Sequence, residues 1–257
     1  MEELGPGSLL WRYAGDRRYR LVMPRIAALR ILHPAIAAAG EEHSRFPGDL
    51  WRQMALAAPR TISTVYDGPA FGRRIGATLH AEIKGTDDLG RRYHALTPEV
   101  FHWEHAAFVD GLFTMIELFD HPMTGAERER LYAECRVWYR MYGISDRVVP
   151  PDWASFRRYH ADMCAHGLRL TPSALRLRGQ LFRPHGKGLH LMPEWVVRGM
   201  LPPRVRELLE VPWGFADDLR FQVYARGVRR FHRTLPNHLR YVWPARRAFA
   251  AAGARLP

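Results

Sequence analysis

The chain has 257 residues, 47% of them hydrophobic, enough to bury a substantial core and to exclude a globally disordered polymer. Its formal net charge of +12 is carried by arginine, because Lys84 and Lys187 are the two lysines. Cys135 and Cys164 stand alone and far apart, which excludes a disulfide framework, a CxxC redox pair and a CxxCH attachment motif.

The arginines fall as scattered pairs (Arg17/Arg18, Arg73/Arg74, Arg91/Arg92, Arg229/Arg230, Arg246/Arg247) without a recognition helix, zinc knuckle or aromatic RNA platform. Nucleic acid is therefore not an expected partner. Arginine grips carboxylates and phosphates bidentately, which keeps an anionic ligand, an anionic substrate or an acidic partner in view.

From the start, "MEELGPGSLLWRYAGDRRYR" places acids first with no basic-then-apolar pattern, so no signal peptide is expected and a cytoplasmic location is. The longest apolar stretch, "IAALRILHPAIAAAG", is interrupted by Arg30, His33 and Pro34 and falls short of the roughly 20 residues a membrane helix needs. "DGPAFGRRIGATLHAEIKG" predicts a helix with Asp67 as cap, Pro69 in its first turn and Gly85 as its stop. "TPEVFHWEHAAFVDGLFTMIELFD" predicts another, with Thr97 as N-cap, Pro98 at the first helical position and Glu99 favoured by the helix dipole. Helices follow in "TGAERERLYAECRVWYRMYG", "PDWASFRRYHADMCAHG" and "TPSALRLRG". The Pro/Gly-rich stretch 183–193 is expected to be a long loop or lid. Three more helices are expected in "PPRVRELLEV", "ADDLRFQVYARGVRRFH" and "LPNHLRYVWPARRAFAAAG". Alternating β-branched runs are nearly absent. The expectation is an all-α fold with many helices around a single core over 1–257, with a possible boundary near 180 that would make 181–257 a C-terminal helical extension.

The segment "FHWEHAAFVDGLF" sets two histidines three apart in an oily run. Residues three and four apart share a helix face, so Phe101, His105, Phe108, Leu112, Met115 and Phe119 form one stripe with His105 in its middle. His102 is displaced by about 60° and is expected at the surface or behind the site. A core histidine with a hydrogen bond is the plain reading of His105. Glu99 and His102 have the E-x-x-H spacing of di-iron carboxylate sites, but no second copy exists. "HWEH" is not the H-E-x-x-H of a zinc hydrolase. A haem iron in an apolar helical pocket needs only one strong histidine ligand, and His105 meets that demand with Phe101, Phe108 and Leu112 to cover the macrocycle.

"GRRYHALTPEVFHWEHAAFVDGLF" resembles the G-R-x-Y-x-A-L-x-P-E-x-x-x-W-x-H-A-x-x-V-D signature of the rubber oxygenase and MpaB-type oxygenase family. Upstream, "GDRRYRLVMPRIAALRILHPAIAAAGEEHSRF" and "LHAEIKGTDDLGRRY" resemble its G-D-x-R opening, its H-P turn and H-S-x-F segment, and its H-x-x-V-x-G-T-D-x-x-G-R-x-Y, with Ile83 for valine. "LPNHLRYVWPARRAFA" resembles its closing element. The resemblance covers residues 15–180 well and the last third loosely.

That resemblance implies a haem b protein with a partly globin-like core enclosing a haem pocket, and maps the proximal iron ligand onto His105, whose other ring nitrogen should meet a hydrogen-bond acceptor. His80 falls on a family histidine and is read either as a distal acid or base or as a core hydrogen-bonding residue. Arg74 and Thr78 have the four-residue spacing of the rubber-cleaving members, while Ala77 stands where those carry a lysine, which puts a polyisoprene substrate in doubt. His33 and His43 are read as a helix-turn anchor and a cap. Arg240 is expected to pair with a haem propionate. The implied activity is an oxidoreductase that turns dioxygen or peroxide on an apolar or amphipathic small molecule, with electrons from a partner, a peroxide or the substrate. The alternative is a non-catalytic haem or gas sensor, or a basic helical interaction module.

Overall fold

The computed structural model describes residues 4–186 and 189–257, the side chain of Leu79 excepted. Near its N-terminus, α1 (Leu9–Ala14) is capped by the Ser8 hydroxyl, which accepts from the Trp11 N–H at 3.2 Å. A 3-10 turn (Arg17–Val22) follows, capped by Asp16, and runs into α2 (Met23–Ile31). The residue before a proline avoids helical ψ, and His33 accordingly sits at ψ 117, so α3 (Pro34–His43) departs at 99° from the preceding segment. That bend breaks the longest apolar stretch; no single helix among the described residues is long and apolar enough to cross a membrane.

The next element, α4 (Leu50–His80), departs from expectation at both ends. It begins seventeen residues before Asp67, and Gly68 (φ 76, ψ −176) kinks it rather than letting Asp67 start a separate helix. That backbone conformation is open essentially to glycine alone. The helix ends at His80, five residues short of Gly85. Gly85 lies instead in β1 (Lys84–Thr86), paired antiparallel with β2 (Arg92–His94) and facing Tyr93. The Asp87 carboxylate accepts from the main-chain N–H groups of Leu89 and Arg91, both at 3.0 Å, and this closes the hairpin turn. A Cβ on Gly85 would overlap the Glu42 carboxylate and the Tyr93 hydroxyl, so the glycine serves close packing against α3, not helix termination.

At the centre runs α5 (Pro98–Phe119), buried over most of its length. Thr97 precedes it without a side-chain capping bond. It packs against the 3-10 turn and α2, where Gly111 leaves room for the Ile26 side chain. Tyr19 donates to the Phe108 carbonyl at 2.6 Å and Trp103 Nε1 to the Leu29 carbonyl at 3.1 Å, locking α5 to the N-terminal elements. α6 (Gly125–Arg140) opens with a capping box between Thr124 and Glu127. α7 (Trp153–Asp162) passes into a π-turn at Met163–Gly167, and α8 (Pro172–Leu181) is capped by Thr171.

Within 183–193 a 3-10 turn forms at Leu189–Leu191, while Lys187 and Gly188 lie outside the described residues. α9 (Glu194–Met200) was not anticipated; α10 (Pro203–Leu208) and α11 (Phe215–Thr234) were. The last expected helix is two, α12 (Asn237–Arg240) and α13 (Trp243–Ala251), because Tyr241 extends to bridge Asp16. Val242 N–H donates to the Gly15 carbonyl at 2.9 Å, α11 packs on α5 and α9, and α13 packs on α4. Arg18 clamps the same region, with Asp16 at 2.6 Å and Asp120 at 2.9 Å. The architecture is all-α apart from that two-stranded hairpin among the described residues.

Candidate functional site

A cavity of about 350 Å³ lies between α3, both halves of α4, the hairpin and α5. The stripe predicted on α5 points Phe101, His105 and Phe108 into it, joined by Val100 and Glu104. The kink at Gly68 lets one helix serve the wall twice: Leu56, Ala57, Arg60 and Thr61 come from before it, Ile75 and His80 from after it. Most of the lining is apolar. The exposed residues His43, Arg45 and Arg60 mark where the cavity meets solvent.

His105 is 5% exposed, and neither Nδ1 nor Nε2 has a hydrogen-bond partner. The acceptor expected for its second nitrogen is therefore not there. Its ring is held by aromatic edges instead, with ring centroids 4.5 Å from Trp138, 5.3 Å from Tyr139 and 5.9 Å from Tyr142. Burial pushes its pKa down to about 3, with the adjacent His102 adding to the effect; the Cys135 main chain opposes weakly without closing a hydrogen bond. The ring is thus neutral at working pH, the form in which imidazole binds a metal. Two orphaned ring nitrogens in a cavity wall are an energetic cost that calls for a compensating partner.

Of the two positions expected for His102, the surface and behind the site, the structure has the second. His102 is buried between Tyr159 (4.8 Å) and Tyr139 (5.6 Å), outside the cavity wall, and burial holds its pKa down to about 4. Tyr139 of α6 and Tyr159 of α7 cover α5 on that side, so the displaced position also faces protein. Glu99 turns outward to Arg147 at 2.7 Å. Glu104 reaches the cavity but is neutralised by Arg30 at 2.8 Å.

His80 lines the cavity, half-buried, with Nδ1 3.3 Å from the Ile75 carbonyl and its ring edge-on to Phe101 at 5.4 Å. Arg74 and Thr78 are not brought to His105. They lie exposed, Thr78 donating to the Arg74 carbonyl at 2.6 Å and Arg74 lying over Phe71 at 5.1 Å. The helical repeat explains it: with Ile75 and His80 turned to the cavity, positions 74 and 78 fall on the opposite side of α4. Leu112 is buried one turn beyond the cavity wall. Arg240 is also elsewhere: it donates to the carbonyls of Leu235 and Arg233, both at 2.7 Å, closing the end of α11. His33 precedes α3 as its N-cap residue, with its ring 6.5 Å from Trp103. His43 ends α3 and contacts the Lys84 carbonyl at 3.0 Å, tying α3 to the hairpin.

Sequence reasoning missed the first half of α4, and with it Arg60 and Thr61. Pro59 inside the helix obscures the pattern there, although Leu50, Trp51, Met54 and Val65 carry a buried helical stripe. It also missed Tyr142, which lines the cavity and has its hydroxyl 3.1 Å from that of Thr64; Thr64 in turn accepts from Trp138 Nε1 at 2.7 Å. Arg45 and Arg60 meet no carboxylate among the described residues.

Residues 11–253 match the family model described as the catalytic domain of ER-bound oxygenase mpaB/B′ and rubber oxygenase. The chain belongs to that oxygenase family. The matched span runs from within α1 to just beyond α13, so the MpaB/rubber oxygenase domain takes in the cavity, the hairpin and the C-terminal helices alike. No curated protein and no solved structure matches the chain.

Proposed function

We propose that this MpaB/rubber oxygenase-family chain is a haem-b-dependent oxygenase whose iron ligand is His105. The observation that carries the reading is a neutral, deeply buried histidine with both ring nitrogens unpartnered in the wall of an apolar cavity. The residues present fit the group. Phe101, Phe108, Ile75 and Leu56 offer apolar faces to a macrocycle, and Arg45 and Arg60 offer charge to its carboxylates, the role first expected of Arg240.

The chemistry that haem b supplies when bound is activation of dioxygen or a peroxide. The chain's part is to bind and to shield. Phe101 and Phe108 exclude water around His105, while Trp138, Tyr139 and Tyr142 fix its ring plane. Besides His105, the cavity is lined by His43 at its mouth and His80 deeper in its wall, and His80 is the residue we assign to hold or pass a proton there. The largely apolar lining suits an apolar or amphipathic small molecule. Electrons come from a donor partner, a peroxide or the substrate.

Expression with haem supply tests this: the purified protein should carry about one b-type haem per chain by pyridine haemochrome, and should consume dioxygen or peroxide with an apolar alkene. A chain that stays colourless and binds no added haemin overturns the haem reading. A haem-loaded chain inert towards both oxidants is a binding protein and not an oxygenase.

A further inference from the structure

Of the nine large apolar side chains exposed among the described residues, six lie between Phe215 and Trp243: Phe215, Leu219, Val223, Phe231, Leu239 and Trp243. Four belong to α11. That helix buries Phe221, Ala225 and His232. At about 100° per residue, the opposite side is centred on Leu219 and Val223, with Phe215 and Phe231 at its flanks. Leu219 and Val223 are more than half exposed, Phe215 is 85% exposed and Phe231 65%. Scattered exposed leucines need no explanation, but an aromatic and aliphatic stripe from Phe215 to Phe231 along one helix does.

The charge around this stripe has one sign. Residues 215–257 hold nine arginines against Asp217 and Asp218 alone. Both acids are engaged at the start of α11, Asp217 accepting from the Gly214 N–H at 2.9 Å and Asp218 from Trp213 Nε1 at 2.6 Å. Arg226 and Arg230 fall between the apolar residues on the outward side, exposed and without a carboxylate partner among the described residues. None of the six apolar residues lines the His105 cavity.

We propose that the outer face of α11 seats the protein on an anionic lipid bilayer surface. Apolar residues interleaved with arginines on the exposed face of a helix are the pattern that enters the headgroup boundary, with side chains in the acyl edge and guanidinium groups among lipid phosphates. A second copy of this chain is a poorer occupant, because two-fold pairing would set Arg226 and Arg230 against their own copies. The proposal is independent of the haem reading, as the face and the cavity share no residue.

Vesicle co-sedimentation tests it with the full chain. Binding to phosphatidylcholine vesicles should require admixed phosphatidylglycerol and should weaken as salt screens the charges. Each arginine near such a surface raises partitioning about fivefold, so Arg226→Gln with Arg230→Gln should lower it about 25-fold. Leu219→Gln with Val223→Gln should lower it about tenfold. All four positions are exposed, so the variants should melt with the wild type. Arg157→Gln with Arg158→Gln removes the same charge from α7 and should bind undiminished. Equal binding to neutral vesicles, or equal loss in the α7 variant, overturns the proposal. So does a wild-type chain that ignores the vesicles, whether it then captures polyglutamate or forms a dimer that Leu219→Gln with Val223→Gln dissolves.

Discussion

At the scale of single residues, two buried groups on α5 divide structure from function. Asp110 lies on the side of α5 turned away from the cavity and is held by the Arg25 guanidinium, with the His160 ring 3.4 Å away. Burial alone would raise its pKa; Arg25 and His160 hold it below the usual carboxylate range. Removing one member of such a pair strands the other, so Asp110→Ala should lose about 3–5 kcal/mol of stability in urea unfolding. A loss under about 1 kcal/mol would mean that the pair is hydrated and inessential. His105 has no such partner. If Arg60 meets a haem carboxylate, Arg60→Gln should raise the haemin dissociation constant about tenfold in an absorbance titration with little change in melting temperature. Unchanged affinity would remove Arg60 from the site. The stripe that centres His105 between Phe101 and Phe108 was legible from spacing alone. The burial of His102 was not, because the side of α5 it occupies is enclosed by helices distant in sequence.

At the scale of elements, the kink in α4 is the device that shapes the cavity. Gly68→Ala meets no neighbouring atom, so its effect is that of backbone strain alone and should cost about 1–3 kcal/mol. A smaller cost would show that the two halves of α4 can straighten, and the volume between Arg60 and His80 would then not be fixed by the backbone. Helices with local start signals were readable: α5, α6 and α8 begin where Thr-Pro or Thr-Gly placed them, and the capping box of Thr124 is there in full. The hairpin was not. Strands of three residues are too short for alternation to register, and Gly85 reads equally well as a helix stop or as a point of close approach. The arginine and threonine on α4 show the same limit. A spacing of four selects Arg74 and Thr78, but which side of the helix faces the cavity depends on the kink and on α5 packed against it.

At the scale of the whole molecule, buried histidines should govern behaviour in acid. His33, His102 and His105 are held by burial at about 4, 4 and 3. In the unfolded chain they titrate near 6.5, so as pH falls below that value the unfolded state takes up protons that the folded state refuses. Stability is therefore fully present above pH ~6.5 and lost on acidification, by about 4 kcal/mol per pH unit at steepest for three histidines. Asp120 adds a later loss: burial would raise it, but Arg18 holds it down to about 2, and its contribution vanishes only as pH falls from about 4 to 2. Urea midpoints of the haem-free protein should thus fall sharply between pH 6 and 4, and His102→Phe should reduce the slope by about 1.4 kcal/mol per pH unit; a flat profile above pH 4 would contradict the burial of these rings. The all-α class and a central helix bearing the key histidine were readable because they rest on local periodicity. The cavity was not, being assembled from α3, α4, the hairpin and α5 together. The central claim, that this cavity binds haem through His105, is tested most directly by titrating haemin into wild-type protein and His105→Ala. The wild type should bind about one equivalent with a sharp Soret band that His105→Ala loses or shifts, with free imidazole restoring it. Equal affinity and an identical spectrum in the variant would contradict it.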